Sequence, residues 1–309
     1  DGEVDNRTVV EAILTALGRP ADAFDFVTEA SLPRRRRACS KAKDDSTRRM
    51  TCPRRRPLVR CRMVRFEVLT AVIIENGVKL KLNLIDTPGY GDLINNEHCW
   101  EPIVKYIKDQ YSIYLRKELT AVRERHIPDT RVHVVLFFIN PSGHSLRPID
   151  IQMLKKLGDI ANVIPIIAKA DTLTMEEREA FKHRVRNELQ ENSIRVYPFD
   201  HEDYDDEERE LNSQVQAMLP FAVVGSTKVY DVDGMPVRGR QSRCGMINIE
   251  DPSHCEFVQF RNFLLRTNLH DLIDTTTYTY YESFRSKQLL ALKESSAKQQ
   301  QQHQQQYQQ

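Results

Sequence analysis

No glycine in this chain is followed by lysine. The G-x-x-x-x-G-K-[ST] loop wraps a polyphosphate in backbone N–H groups and neutralises it with the lysine. That loop is excluded from these 309 residues. Other absences narrow the class further. The six cysteines, at 39, 52, 61, 99, 244 and 255, form no C-x-x-C pair and no regular spacing. This argues against a zinc site or a disulfide framework and for reduced thiols in a cytosolic protein. No apolar run approaches the length of a membrane-spanning helix, and the acidic start does not have the form of a secretory signal. No repeat at solenoid periods is visible. The formal net charge is only +1, so overall charge names no partner.

What is present is a hydrophobic fraction of 40% and a charged fraction of 29%, enough for a buried core in one large domain or two ordinary ones. The charges are segregated. Residues 1–33 predict one short helix, Thr8–Leu17, ended by Gly18 and Pro20. Between residues 34 and 65 stand fourteen basic side chains, opposed only by Asp44 and Asp45. Such a run cannot bury itself, so residues 1–65 are expected to be largely disordered.

From Phe66 strands and amphipathic helices alternate. FEVLTAVII and VKLKLNLID, around a turn at Glu75-Asn76-Gly77, predict a β-hairpin whose second strand ends at Asp86. A helix is expected over about 97–125, with Trp100 as its core anchor. VHVVLFFI and NVIPIIAKAD are apolar on both faces, as buried parallel strands are. Thr174 and Glu177 make a capping box for the next helix. Strands are expected near 195–198, 221–230 and 236–249, and helices near 256–272 and 280–293. HEDYDDEERE (201–210) reads as a solvated loop, and the glutamine-rich end, 296–309, as a disordered tail. The whole predicts a doubly wound α/β domain over 66–295.

Two loops follow buried strands, where ligands bind in open α/β sheets. Asp86-Thr87-Pro88-Gly89 has the form of a γ-phosphate sensor: the Asp holds Mg²⁺, and the Gly lets its N–H approach a phosphate without a Cβ clash. Ala168-Lys169-Ala170-Asp171 offers a carboxylate to accept from the N1–H and N2–H₂ of guanine, with the Lys169 stem against the base plane. Alone, each loop is also an ordinary turn. Together, in this order, they point to nucleotide geometry.

DTPGYGD, CWEPIVKYI, FINPSGHSL, IPIIAKADTLT, FAVVGS, VRGRQSRCGMINIEDPSHCEF and LRTNLHDLIDTTTYTYYESFRSKQL resemble the septin G domain, of the TRAFAC P-loop GTPase class, from about Ile74 to Ala297. The resemblance is closest to fungal septins of the filament-core type. It implies a P-loop-GTPase-like sheet with the septin-specific C-terminal extension, incomplete at the N-terminal strand, phosphate loop and helix. It implies GTP or GDP with Mg²⁺: phosphate-side contacts from Asp86 (also the Mg²⁺ ligand) and Gly89, guanine-side contacts from Lys169 and Asp171, with Thr172 and Glu177 close by. Gly225 would supply backbone near the base, and Arg240 would flank it. It implies other septin subunits as partners in filaments, in the cytoplasm, the cytoskeleton, and the cortex or septum of dividing cells.

The chain departs from that pattern where the family holds phosphate. Met63 stands where the switch-I threonine would fall, and Cys244 where a Trp precedes Gly245. GTP binding is therefore expected to be weakened and hydrolysis lost, with no catalytic residue assigned. Two other readings remain: a nucleotide-free septin remnant that keeps only interaction surfaces, and an arginine-rich lipid- or nucleic-acid-binding protein. Anionic membrane lipid along Arg34–Arg65 is the family-consistent partner of that run. No specific nucleic acid is expected, since no aromatics interleave the arginines until Phe66.

Overall fold

The computed structural model describes residues 66–75, 78–87, 89–91, 96–120, 127–198, 205–226, 228–232, 234–242 and 245–306. The readings for Thr8–Leu17, the arginine-rich run with Met63, and Cys244 lie outside these residues. The chain divides into two compact units that meet in sequence between Gly89 and Tyr90.

The first unit holds the hairpin. Strands β1 (Glu67–Glu75) and β2 (Val78–Asp86) pair antiparallel over nine positions, from Glu67↔Asp86 to Glu75↔Val78. Two residues separate the strands, and Asn-Gly is the pair that two-residue hairpin turns favour.

The second unit is built on a parallel sheet in the order β3 (Val134–Ile139), β4 (Asn162–Ile167), β5 (Phe221–Ala222). All six β4 residues are buried, as its unbroken apolar run predicts. Pro165 is tolerated there because β5 joins only at Ile166↔Phe221 and Ile167↔Ala222. The missing N–H therefore falls where no ladder bond is needed.

Helices connect the strands. Helix α1 (Glu101–Leu119) buries Ile107, Tyr111 and Leu115, spaced by four, and carries Glu101 at its start and Arg116 and Lys117 at its end, in line with the helix dipole. Trp100 is half-buried at the N-cap, tilted against His98 with centroids 5.8 Å apart. The core anchor is Tyr111, 1% exposed, whose hydroxyl donates to Ile160 O at 2.9 Å. Helix α2 (Pro148–Gly158) begins with proline, which costs nothing at a helix start. Helix α3 (Met175–Glu191) opens on the predicted capping box: Thr174 accepts from Glu177 N–H at 3.3 Å and Glu177 accepts from Thr174 N–H at 2.9 Å. Helix α4 (Asp206–Met218) starts inside the acidic run read as a loop, because acids in a first turn favour the positive end of the dipole.

The expected strand at 195–198 is not a strand, though Tyr197 N–H reaches β4 at Val163 O, 3.0 Å. The expected 221–230 strand splits into β5 and β6 (Val229–Val232); residues 223–226 belong to neither, although Val223 N–H still reaches Ile167 O on β4 at 2.9 Å. The 236–249 run is two antiparallel strands, β7 (Met235–Ser242) and β8 (Gly245–Asn248), which with β6 form a meander.

The C-terminal helices run almost without break: α5 (Phe257–Asn262), a π turn, α6 (Leu269–Thr275), a second π turn, then α7 (Glu282–Gln306). Helix α7 continues through most of the run read as a disordered tail, since glutamine is a fair helix former. Phe260 and Phe263 pack on Phe221, with centroids 5.6 and 5.2 Å away. At the start of β4, Asn162 Nδ2 donates to His133 O at 2.9 Å, Leu272 O at 3.0 Å and Thr276 Oγ1 at 3.1 Å, fastening this helical run to the sheet.

Candidate functional site

At the carboxyl end of β4 the ladder continues one bond further, Ala168 N–H to Ile139 O at 3.0 Å, and then the chain turns sharply. Lys169 takes φ 48°, ψ 47°, the left-handed region that a side chain with a Cβ seldom occupies. A 3₁₀ turn over Ala170–Thr172 follows, closed by Thr172 N–H and Thr172 Oγ–H on Lys169 O at 3.0 and 2.9 Å. Ala170 N–H donates to Val223 O at 3.2 Å, and Val223 N–H to Ile167 O at 2.9 Å. The loop after β4 and the segment after β5 are thus held side by side, which brings Val223–Gly225 to Ala170.

The turn drives Asp171 inward. Its side chain is 7% exposed, and Oδ1 is buried without a hydrogen-bond partner among the described residues. Oδ2 lies 3.5 Å from Arg240 Nη1, a loose ion pair with an arginine whose side chain is 45% exposed. Arg240 stands on β7 opposite Ile247. Beside it, a Cβ on Gly239 would lie 2.4 Å from Ile247 O, so only glycine permits this strand pairing. A buried carboxylate oxygen with no donor costs free energy unless a ligand supplies one. The N1–H and N2–H₂ of guanine are such donors, so the residues present fit the base.

The structure therefore brings Asp171 and Arg240 together, with Lys169 and Thr172 in the same turn, while Gly225 lies two residues after Val223, whose carbonyl holds Ala170. Glu177 is exposed and engaged in the α3 cap, its carboxyl held below the ordinary range by the Thr174 backbone N–H. Asp86 and Gly89 belong to the hairpin unit. Asp86 is half-buried at the end of β2, opposite Glu67, and Gly89 is exposed. Among the described residues no group of three or more His, Cys, Asp or Glu side chains is placed to hold a metal. His144 is exposed, its backbone N–H on Ser142 Oγ at 3.4 Å.

Two clusters escaped sequence reasoning. Next to the DTPG turn, Tyr90 donates to Asp150 Oδ1 at 2.9 Å, while Arg147 grips the same carboxylate with Nε and Nη2, both at 2.9 Å. Burial, and then the Asp150 charge, push the Tyr90 hydroxyl far above its ordinary value. Arg147-x-x-Asp150 at a helix start was the readable signal. The other cluster is Lys182 with Glu256, 2.7 Å apart and 4% and 17% exposed. Here the signal was basic residues on the buried stripe of α3: Arg178 and Lys182 share it with Phe181, Val185 and Leu189.

Compared with known proteins, residues 43–298 match the Septin family model. That match begins within the arginine-rich run, ahead of Ile74. The chain is 60% identical over 230 residues to "Septin homolog spn2" of Schizosaccharomyces pombe, covering 74% of this chain and 70% of that protein. It is 52% identical over 230 residues to "Cell division control protein 10" of Saccharomyces cerevisiae, covering 74% and 71%. Among solved structures, the septin GTPase domain from Chlamydomonas reinhardtii aligns with a TM-score of 0.57 at 24% identity, over 71% of this chain and 80% of that one. At that identity the likeness is one of fold.

Proposed function

Because the chain belongs to the septin family, we propose that it is a cytoskeletal subunit that assembles with other septin subunits into hetero-oligomeric filaments at the division site. Its cell-division relative supports that setting. In this reading the base side of a guanine-nucleotide site is retained and the phosphate grip is reduced. Asp171 receives the two guanine donors, the Lys169 stem lies against the base, Thr172 holds the turn, Gly225 gives backbone approach and Arg240 flanks the ring. Asp86 and Gly89 are the phosphate-side contacts, with Asp86 toward Mg²⁺ when nucleotide is bound.

The observation that carries the reading is the buried, donorless Oδ1 of Asp171. Base contacts without a lysine-bearing phosphate loop leave GTP and GDP binding weak, since triphosphate affinity rests largely on that cradle. Turnover is lost in this reading. Titrating the full chain with a fluorescent GTP analogue tests it. Saturable binding that Mg²⁺ strengthens and Asp171→Asn weakens at least tenfold is the expected result. No binding at any concentration up to millimolar sinks it.

One observation favours a second reading, a nucleotide-free septin acting through its surfaces alone: Arg240 itself supplies a cation to the Asp171 carboxylate. The same titration separates the two. Filament assembly is tested by co-expression with partner septins and sedimentation at low salt. The arginine-rich run, Arg34–Arg65, is the proposed contact for anionic lipid. Vesicle retention unchanged by deleting residues 34–65 removes that part.

A further inference from the structure

Glu256 makes no hydrogen bond or ion pair with the residues assigned to the base, yet it binds the elements that carry them. Its Oε2 accepts from Ala222 N–H at 2.7 Å, and its own N–H donates to Ala222 O at 2.9 Å. Ala222 is three residues ahead of Gly225 and adjoins Val223, whose carbonyl holds Ala170. The other oxygen, Oε1, accepts from Lys182 Nζ on α3, the helix that begins just after Asp171. Arg178, one turn earlier on α3, donates from Nη2 to His254 O at 2.9 Å. His254 Nδ1 in turn accepts from Asn248 N–H at 3.1 Å. Asn248 pairs with Gly239 in the meander, next to Arg240.

We propose that Glu256 is a positioning residue of the base site, a single carboxylate that fixes the β5 end and α3 at one spacing, with its neighbour His254 tying in the meander. The inference rests on the base-site reading above. The physical basis is that a half-buried carboxylate held by one charge-assisted and one backbone donor has one low-energy placement. An apolar residue there would fill the space without setting the distance between Ala222 and α3. The distance matters because both guanine donors must meet Asp171 while Gly225 stays within backbone approach of the same ring.

The test compares the full-length chain with Glu256→Gln, and with Lys182→Met/Glu256→Gln, which removes both charges together and so leaves no lone buried ion to unfold the protein. Two readouts are used: amide exchange in the free chain, and competition of guanosine against inosine diphosphate for a fluorescent GDP analogue. Inosine lacks the N2 amino group, so the ratio reports the placement of Asp171. The expected result is about tenfold faster exchange at Ala170 and Val223 with no change at Ala161, and a fall of about tenfold in the guanosine preference. A lower melting temperature with uniformly faster exchange and an unchanged preference would overturn the proposal, leaving Glu256 as ordinary support. A wild-type chain with no guanosine preference, but with the local change in exchange in the variants, overturns the base-site reading while the positioning of the loop stands.

Discussion

Asn162 opens β4 and Asp171 follows its other end, and each holds one buried side-chain oxygen with no partner among the described residues. The resemblance stops there. Asn162 is neutral and fully buried, and its amide nitrogen reaches three acceptors that join the sheet to the C-terminal helices. Asp171 carries a carboxylate, and its contact with Arg240 is a loose 3.5 Å. At one end of the strand a polar side chain is spent on packing the fold. At the other, a charge is kept buried and under-coordinated, which packing alone does not explain. The difference is the one expected if Asn162 supports the fold and Asp171 has the proposed role toward a base.

The largest test of this contrast is Asn162→Ala. It strips donors from His133 O and Leu272 O, and a loss of about 3 kcal/mol in urea unfolding is expected, with the guanosine preference unchanged. A changed preference would break the contrast. Next is Asp171→Asn, which should weaken binding of the analogue at least tenfold, or about 1.4 kcal/mol. Its melting temperature should hold or rise, because a buried charge has been removed. Thr174→Ala removes the α3 cap and should cost about 1 kcal/mol without altering nucleotide binding, which would sharpen the assignment of Glu177 to the cap.

The smallest effect lies in acid. Burial alone would raise the Asp129 carboxyl, but hydrogen bonds from His133 and Arg131 outweigh it and hold the group well below the ordinary carboxylate range. A depressed folded value means that its stabilisation is present at neutral pH and is lost as pH falls below about 4. Asp129→Asn should flatten the acid limb of the unfolding profile there and leave the base site untouched.

Much of this was legible in the chain. VHVVLFFI and NVIPII announce buried parallel strands, because nothing polar interrupts them, and the Thr174–Glu177 box marked the start of α3. AKAD stood after a strand, where binding loops sit. The misses in strands and in Lys182 share a cause: local pattern was overruled by tertiary pairing. Val223 and Val224 look like strand interior, but past Ile167 the Val223 carbonyl pairs with Ala170 of the loop instead of a strand residue. VRGRQSRCGMINIE looks like one strand, yet Gly239 can lie against Ile247 only in a hairpin. Lys182 looks like a solvated lysine until Glu256, 74 positions later, arrives beside it.

The left-handed backbone of Lys169 has a consequence for any attempt to harden this protein. A residue held there stores roughly 1 kcal/mol of strain, which glycine would release. Directed evolution for heat tolerance alone should therefore recover Lys169→Gly among its early winners, and each such clone would trade away the stem proposed to lie against the base. Selection for durability and selection for recognition pull in opposite directions at this one position.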